Sequence, residues 1–511
     1  MNIEDLYQEN QVLKKENEAL VLQISILQFR LEQLEKALFG SKRERFVPDE
    51  NANQTSLFAS DIEGGPSKSP ESDDIIVGII PKKKIRKKEI ARNTFPAHLV
   101  REEQVIEPEG YQEGFKCIGQ DETEILKYIP MELKVLKIIR PRYVDHSAKE
   151  KQIHQANIPA RIIPKGLVDD SLIAGLISEK FEYHMPVYRF VKKLRNAGID
   201  FIKTKHCYNY LAKTGAMLQP VHDLLHQEML RSRYVQMDES SIRVLSQDQE
   251  HGKLRGCMWV MLAPRSDLAL FNYRQSKEKE HACDLLDGYQ GVLQTDGNSS
   301  YQSIADAPPK NKIIGGYDIQ VTEFLNCWAH TRRKFFEAKD LEPALIHPIL
   351  KDIQQLYALE RQARDQHMDS DQRFKLRQEK AVPVLNSIKK KLDDGYMANL
   401  TGPVKVAFSY TLKRWPQLSN YVNNGDWEID TNLLENKIRL LALGRKNFLF
   451  AKTDETAQHM ATFYSIVATC HKRKINVFKY LCWLLNKVAT EKITEQAVQW
   501  LPHRVDPALF S

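Results

Sequence analysis

Leucine recurs every seven residues at the start of the chain, at Leu6, Leu13, Leu20, Leu27 and Leu34, and three residues before each stand Ile3, Asn10, Asn17, Ile24 and Leu31. These are the d and a positions of a heptad, with Glu9, Lys14, Lys15, Glu16 and Glu18 left for solvent. The pattern predicts a helix within residues 1–47 that pairs with a second copy as a coiled coil. The alternative is a lone amphipathic helix packed on its own protein. In a coiled coil, polar Asn10 and Asn17 at a positions would fix register and strand number. From Pro48 to Pro81 apolar residues thin out among Asn, Ser, Asp, Gly and Pro, the composition of a linker that cannot offset its ordering entropy.

Between Val168 and Lys213 the period becomes helical. Leu172, Ile173, Leu176 and Ile177 form one face, and Val187, Phe190, Val191 and Leu194 another after Pro186. Asn196-Ala197-Gly198 then breaks the helix before a polar one that Thr204 can cap, carrying Lys205 and Asn209. Helix, glycine turn and polar helix suit a helix-turn-helix DNA reader, and ordinary helical packing produces the same pattern.

The period then shortens. Tyr234–Asp238, Cys257–Leu262, Leu268–Tyr273 and Gly291–Asp296 are short runs rich in apolar, β-branched and aromatic residues, separated by polar or glycine-containing turns. The first three follow one another as an antiparallel meander would, and a helical segment near Ser276–Asp287 precedes the fourth. From Leu341 to Leu400 the pattern is charged and helical.

Composition narrows these readings. With 511 residues, the chain holds three or four units at roughly 150 residues each. Hydrophobic content of 42% and charged content of 28% exclude wholesale disorder and a disulfide scaffold. No apolar run reaches the ~18 residues of a membrane span, and Met1–Asp5 lacks the features of a signal peptide, so a cytoplasmic location with no membrane partner is expected. Cys117, Cys207, Cys257, Cys283, Cys327, Cys470 and Cys482 are scattered and never spaced C-x-x-C, so no structural zinc is expected. The net charge of +7 permits a nucleic-acid partner, and its densest cluster is Lys82, Lys83, Lys84, Arg86, Lys87 and Lys88. That tract suits a phosphate backbone or a solvated charge run equally.

Asp238 closes the first strand and Asp296 the fourth, and Glu435 lies in a helical pattern with Asp430 or Thr431 as its cap. Three such acids either share a pair of magnesium ions, which prefer carboxylate oxygen and clamp both oxygens of a phosphodiester displacement, or stand apart without a common role.

Met237-Asp238-Glu239-Ser240, Thr295-Asp296-Gly297 with Tyr301, Cys327-Trp328-Ala329-His330 with Arg332-Arg333-Lys334-Phe335-Phe336, and Asn432–Arg439 with Leu443-Gly444-Arg445-Lys446-Asn447 resemble the successive motifs of D-D-E transposases of the insertion sequence 66 family. The likeness extends to Leu38–Lys42, Met185–Arg189 and Leu501–Arg504. It implies an α/β catalytic core, RNase H-like with a mixed sheet, carrying an α-helical insertion, a helical DNA-binding region and the N-terminal coiled coil. It also implies that Asp238, Asp296 and Glu435 bind two Mg2+ ions, with Mn2+ able to substitute. The enzyme would cut double-stranded DNA at the ends of an insertion sequence and join the freed 3′-hydroxyls to target DNA, in the bacterial cytoplasm at the nucleoid and with accessory proteins of the same element.

Cys327, His330, Arg332, Asn432 and Arg439 then become candidates for phosphate contact or support of the acids. For Cys327 and His330 the alternative is a hydrogen-bonded histidine beside a buried thiol. The family commonly carries a cysteine-rich zinc segment before the helical region. Here Cys117 is the only cysteine before His206, so residues 95–165 are expected to keep that segment's fold without its metal. The expected division is coiled coil 1–47, linker with basic tract 48–94, degenerate zinc-finger-like segment 95–165, helical DNA-binding region 166–230, catalytic domain 231–340 and 426–475, insertion 341–425 and a C-terminal helical segment 476–511. Two other functions fit the same residues: a zipper-dimerised regulator with an inactive catalytic domain, and a structure-selective nuclease of the same fold.

Overall fold

A computed structural model describes residues 133, 142–144, 153–155, 159–164, 166, 168–245, 253–297, 301, 304, 313–314, 317–396 and 400–510. The coiled-coil, linker and basic-tract readings, with Lys82–Lys88, and most of the zinc-finger-like segment, with Cys117, lie outside the described residues. Of that segment, β1 (Arg142–Val144) and β2 (Ile153–Gln155) form an antiparallel pair.

The helical stretch holds α1 (Asp170–Phe181), α2 (Val187–Asn196) and α3 (Thr204–Leu230). Asp169 caps α1 by accepting the Ser171 N–H at 2.9 Å. Thr204 is the first residue of α3 rather than its cap. Lys203 occupies the cap position, and His206 Nδ1 accepts its backbone N–H at 3.2 Å. Ile173, Leu176, Leu194, Leu218 and Leu225 are buried in the same core as the sheet residues.

That sheet contains β3 (Tyr234–Leu245), β4 (Lys253–Ala263), β5 (Leu268–Arg274), β6 (Gln290–Thr295) and β9 (Gln320–Asn326), in the order β5-β4-β3-β6-β9. α4 (Lys279–Leu285) precedes β6, and β7 (Ile313–Ile314) and β8 (Tyr317–Asp318) pair separately. The first three strands are antiparallel neighbours, as the meander predicts, while β3, β6 and β9 run parallel. Cys257–Ala263 and Leu268–Tyr273 are buried without alternation, as strands covered on both faces must be. The exposed edge of β5 is covered by a helix. Thr469 Oγ1 donates to Ala269 O and accepts its N–H, and Ser465 Oγ accepts the Phe271 N–H at 2.8 Å.

Asp238 does not close its strand. β3 continues to Leu245, because Ser241–Leu245 alternates as a half-buried strand does, with Ile242 and Val244 inward and Arg243 outward. The strand that ends at the acids is β6, at Thr295, one residue before Asp296.

After β9 come α5 (Trp328–Glu337), α6 (Pro343–Asp365), α7 (Ser370–Leu376), a π-turn over Arg377–Ala381, α8 (Val382–Tyr396), α9 (Gly402–Lys413) and α10 (Trp415–Ser419). They build a second core around Trp328, Phe335, Ile353, Leu385 and Phe408, so α5 packs with the helical insertion. α11 (Asn432–Phe448), α12 (Asp454–Lys472) and α13 (Val477–Thr490) return to the sheet's core. Among the described residues no helix is long and apolar enough to cross a membrane.

Candidate active site

The parallel register aligns Gln236 of β3 with Gln294 of β6. Two residues further along each chain stand Asp238 and Asp296. A period of two puts each on the same face as its glutamine, at the point where β6 ends and the sheet opens. Crevices outside the carboxyl ends of parallel strands are where α/β sheets bind ligands.

The glutamines then secure the third acid. Gln236 Nε2 donates to Gln294 Oε1 at 2.8 Å and to Asp430 O at 2.9 Å, Gln294 Nε2 donates to Glu428 O at 2.9 Å, and Tyr234 Oη accepts the Glu428 N–H at 3.1 Å. Residues 428–430 are thereby stitched to the sheet. From the other side Trp328 N–H donates to Ile429 O at 3.2 Å and Thr431 N–H to Cys327 Sγ at 3.3 Å. The buried Asp430 carboxylate accepts the Asn432 N–H (3.0 Å), Asn432 Nδ2 (2.7 Å) and Tyr357 Oη (2.9 Å), so it serves the N-terminus of α11 while Thr431, at the cap position, makes no side-chain capping bond. Leu434 and Leu441 bury α11 against the sheet core, and Glu435 sits half-exposed in its first turn, where the helix dipole favours a negative charge.

The acids feel one another. Burial, followed by the carboxylates of Asp296 and Glu239 and more weakly Glu435, pushes Asp238 up from 3.8 to about 8, although it accepts the Glu239 N–H at 2.7 Å. His330 Nε2 lies 4.0 Å from Glu435 Oε1, and its Nδ1 is buried without a hydrogen-bond partner. Burial draws its imidazole below its ordinary range against the pull of Glu435 and Asp296, which favours the neutral ring. Among the described residues no three His, Cys, Asp or Glu side chains close into a metal-holding group. The acids converge without forming a finished ligand set. Their hard oxygen donors and mutual repulsion nonetheless suit a divalent cation such as Mg2+.

The remaining candidates divide. Cys327 is fully buried and burial raises its thiol to about 12, which leaves it a hydrogen-bond acceptor for Thr431. Asn432 supports Asp430, Arg332 lies beside Phe336 on α5, and Arg439 is exposed on α11. Lys205 and Asn209 share the exposed face of α3, one turn apart.

Sequence reasoning passed over several residues at the site. Glu239 is nearly buried, accepting Tyr301 Oη at 2.6 Å and facing Lys277 Nζ at 3.4 Å. From the insertion, Tyr410 Oη donates to Asp296 O at 2.7 Å and Arg414 Nη2 to Gly297 O at 2.6 Å. Gly297 has φ +83°, and a Cβ there would stand 2.6 Å from Arg414 Nε, so both backbone and space require glycine.

Residues 165–459 match the family described as "Transposase IS66 family", and residues 26–103 match "Transposase C of IS166 homeodomain". The first match spans more than half of the chain, and the protein belongs to the IS66 transposase family. It is similar to two uncharacterized proteins of Sinorhizobium fredii. One, y4qI, is 27% identical over 94% of this chain and 88% of its own length; the other, y4hP, is 27% identical over 80% and 76%.

Proposed function

We propose that this transposase works by D-D-E chemistry on an RNase H-like core, cutting double-stranded DNA at the ends of an insertion sequence and joining the freed 3′-hydroxyls to target DNA. The observation that carries the reading is the parallel register of Gln236 with Gln294, each two residues before Asp238 or Asp296, with the segment leading into the helix of Glu435 bonded to the same two glutamines. Three antiparallel strands followed by two parallel ones support the RNase H-like assignment.

Asp238, Asp296 and Glu435 would hold the divalent ions, two Mg2+ in this reading. When bound, these supply charge neutralisation at the attacking and leaving oxygens of the phosphodiester. Glu435 brings its charge on a helix fixed at both residue 327 and the sheet. His330, neutral and within reach of Glu435, can accept or donate a proton at Nε2 near the reacting phosphate. Tyr410 and Arg414 hold the loop of Asp296 by its backbone, keeping that carboxylate at the crevice.

DNA recognition through Lys205 and Asn209 and through Lys82–Lys88, self-association through residues 1–47, and accessory proteins of the same element complete the proposal. Deleting residues 1–47 should lower the mass measured by light scattering.

The decisive experiment incubates the full chain with duplexes carrying the element's ends and Mg2+, and looks for free 3′ ends and joined products. Glu435→Gln, Asp238→Asn and Asp296→Asn should each abolish both products while binding persists. Activity surviving in Glu435→Gln, with cleavage lost in Asp430→Asn, would overturn the assignment of the third acid.

A further inference from the structure

We infer that the outer face of α9 in the insertion is a binding groove for a DNA phosphodiester backbone, leading to the Asp296 loop. α9 is amphipathic. Val404, Ala407, Phe408 and Thr411 are buried in the insertion, while Lys405, Ser409 and Lys413 line the opposite side at helical spacing. With Val406, Tyr410 and Arg414 they enclose an open groove of about 420 Å³.

Its charge is one-sided. Tyr410 lies between two cations, with Arg414 4.0 Å and Lys334 4.6 Å from its ring centroid, and Arg333 stands beside Lys334 on α5. Among the described residues none of Arg333, Lys334, Lys405 and Lys413 is ion-paired with an acid, whereas on α8 Lys389 pairs with Asp393 and Lys391 with Asp352 of α6. Unneutralised cations along a concave face are the footprint of a polyanion.

Position gives the groove its meaning. The bonds from Tyr410 to Asp296 O and from Arg414 to Gly297 O fix one end of α9 to the acid loop. Arg414 is committed to the carbonyls of Gly297 and Tyr410, so the groove's remaining cations are Lys405 and Lys413. Eight residues apart, they span about 12 Å of helix axis, roughly the rise of three to four nucleotides on one strand. A strand lying there continues into the crevice of Asp238 and Asp296.

The inference deepens the proposed DNA chemistry and rests on it for the strand's destination, and its test is separable. Binding of the full chain to a random-sequence duplex is measured against salt for wild type, Lys405→Gln/Lys413→Gln and Asp238→Asn. The double variant should lose about 1.8 from the magnitude of the log-log slope, at about 0.9 per phosphate contact. Asp238→Asn should keep the wild-type slope. Cleavage by the double variant should require more DNA and recover at low salt. Both lysines are exposed, so circular dichroism and thermal midpoint should match wild type. An unchanged slope in the folded double variant overturns the groove. Absence of Mg2+-dependent cleavage in wild type, with the slope difference intact, would refute the catalytic reading alone.

Discussion

Two clusters of charge meet at residues 428–430 and are built in contrary ways. In the insertion, the buried Glu360 carboxylate accepts Arg377 Nε at 2.7 Å, Arg377 Nη2 at 2.8 Å and Arg373 Nη2 at 3.0 Å. The remaining donors of Arg377 reach Tyr421 O, Asn424 O and Trp427 O, so its whole guanidinium is satisfied, and Arg373 extends to Glu428 at 3.4 Å. Burial works to raise Glu360, but the two guanidiniums, Arg377 foremost, hold it below its usual range. At the crevice, burial and neighbouring carboxylates act together and Asp238 rises to about 8. A buried carboxylate is given two guanidiniums in one place and mostly like-charged neighbours in the other. The first cluster holds the returning chain in position; the second suits the divalent cation proposed above.

The contrast can be broken from its paired side first. Arg377→Ala leaves Glu360 buried with half its partners, and should cost about 3–5 kcal/mol in denaturant unfolding, the range for removing one member of a buried pair. A loss near that of an exposed salt bridge would show that the network is relaxed in solution. On the unpaired side Asp238→Asn should raise the thermal midpoint of chelator-treated protein by several degrees. Its sign follows from linkage: a carboxyl raised from 3.8 to about 8 contributes stability below pH 3.8 that is lost as pH climbs through 8. The gain from Asn should therefore be greatest above pH 8 and absent below pH 3.8, and Mg2+ should raise the midpoint of wild type more than that of the variant.

Between the clusters, Gln236→Ala strips a donor from the buried Asp430 carbonyl and should cost about 1–3 kcal/mol. Its cleavage rate should fall while its salt slope for DNA stays unchanged, because the change displaces Glu435 and not a phosphate contact. An effect confined to a pH window concerns Lys180, a buried cation whose only partners among the described residues are rings, with Nζ 3.5 Å from the centroid of Phe448. Burial lowers it from 10.5 to about 7, so the fold bears its desolvation cost fully below pH 7 and sheds it by pH 10.5. Lys180→Met should raise the thermal midpoint at pH 6 and leave it unchanged above pH 10.5.

Much of the sheet was legible because its strands are pure in type. Cys257–Leu262 is apolar throughout, Leu268–Tyr273 is so but for Asn272, both are bounded by turns, and Asp296 closes a third such run. β9 was missed because Gln320-Val321-Thr322-Glu323 mixes polar with β-branched residues, and only its last residues are buried. The full length of β3 was missed for a related reason, its second half being polar on one face. The amide stitch through Gln236 and Gln294 leaves no local signal: its partners are backbone carbonyls 134 and 194 residues away. Tyr410 and Arg414 were hidden likewise, since 114 and 117 residues separate them from the loop they hold.

The chain leaves the sheet at Cys327, and Thr431, 104 residues later, donates its N–H back to the Cys327 sulfur. On the ribosome this geometry sets a clock. Asp296 is polymerised 139 residues before Glu435, roughly 7–28 s at bacterial and eukaryotic elongation rates of about 5–20 residues per second. Throughout that interval a nascent chain carries two of the three candidate acids, and the basic face of α9 is made within it. On the proposed D-D-E reading, a half-synthesised chain therefore lacks the acid it needs to cut the DNA beside it.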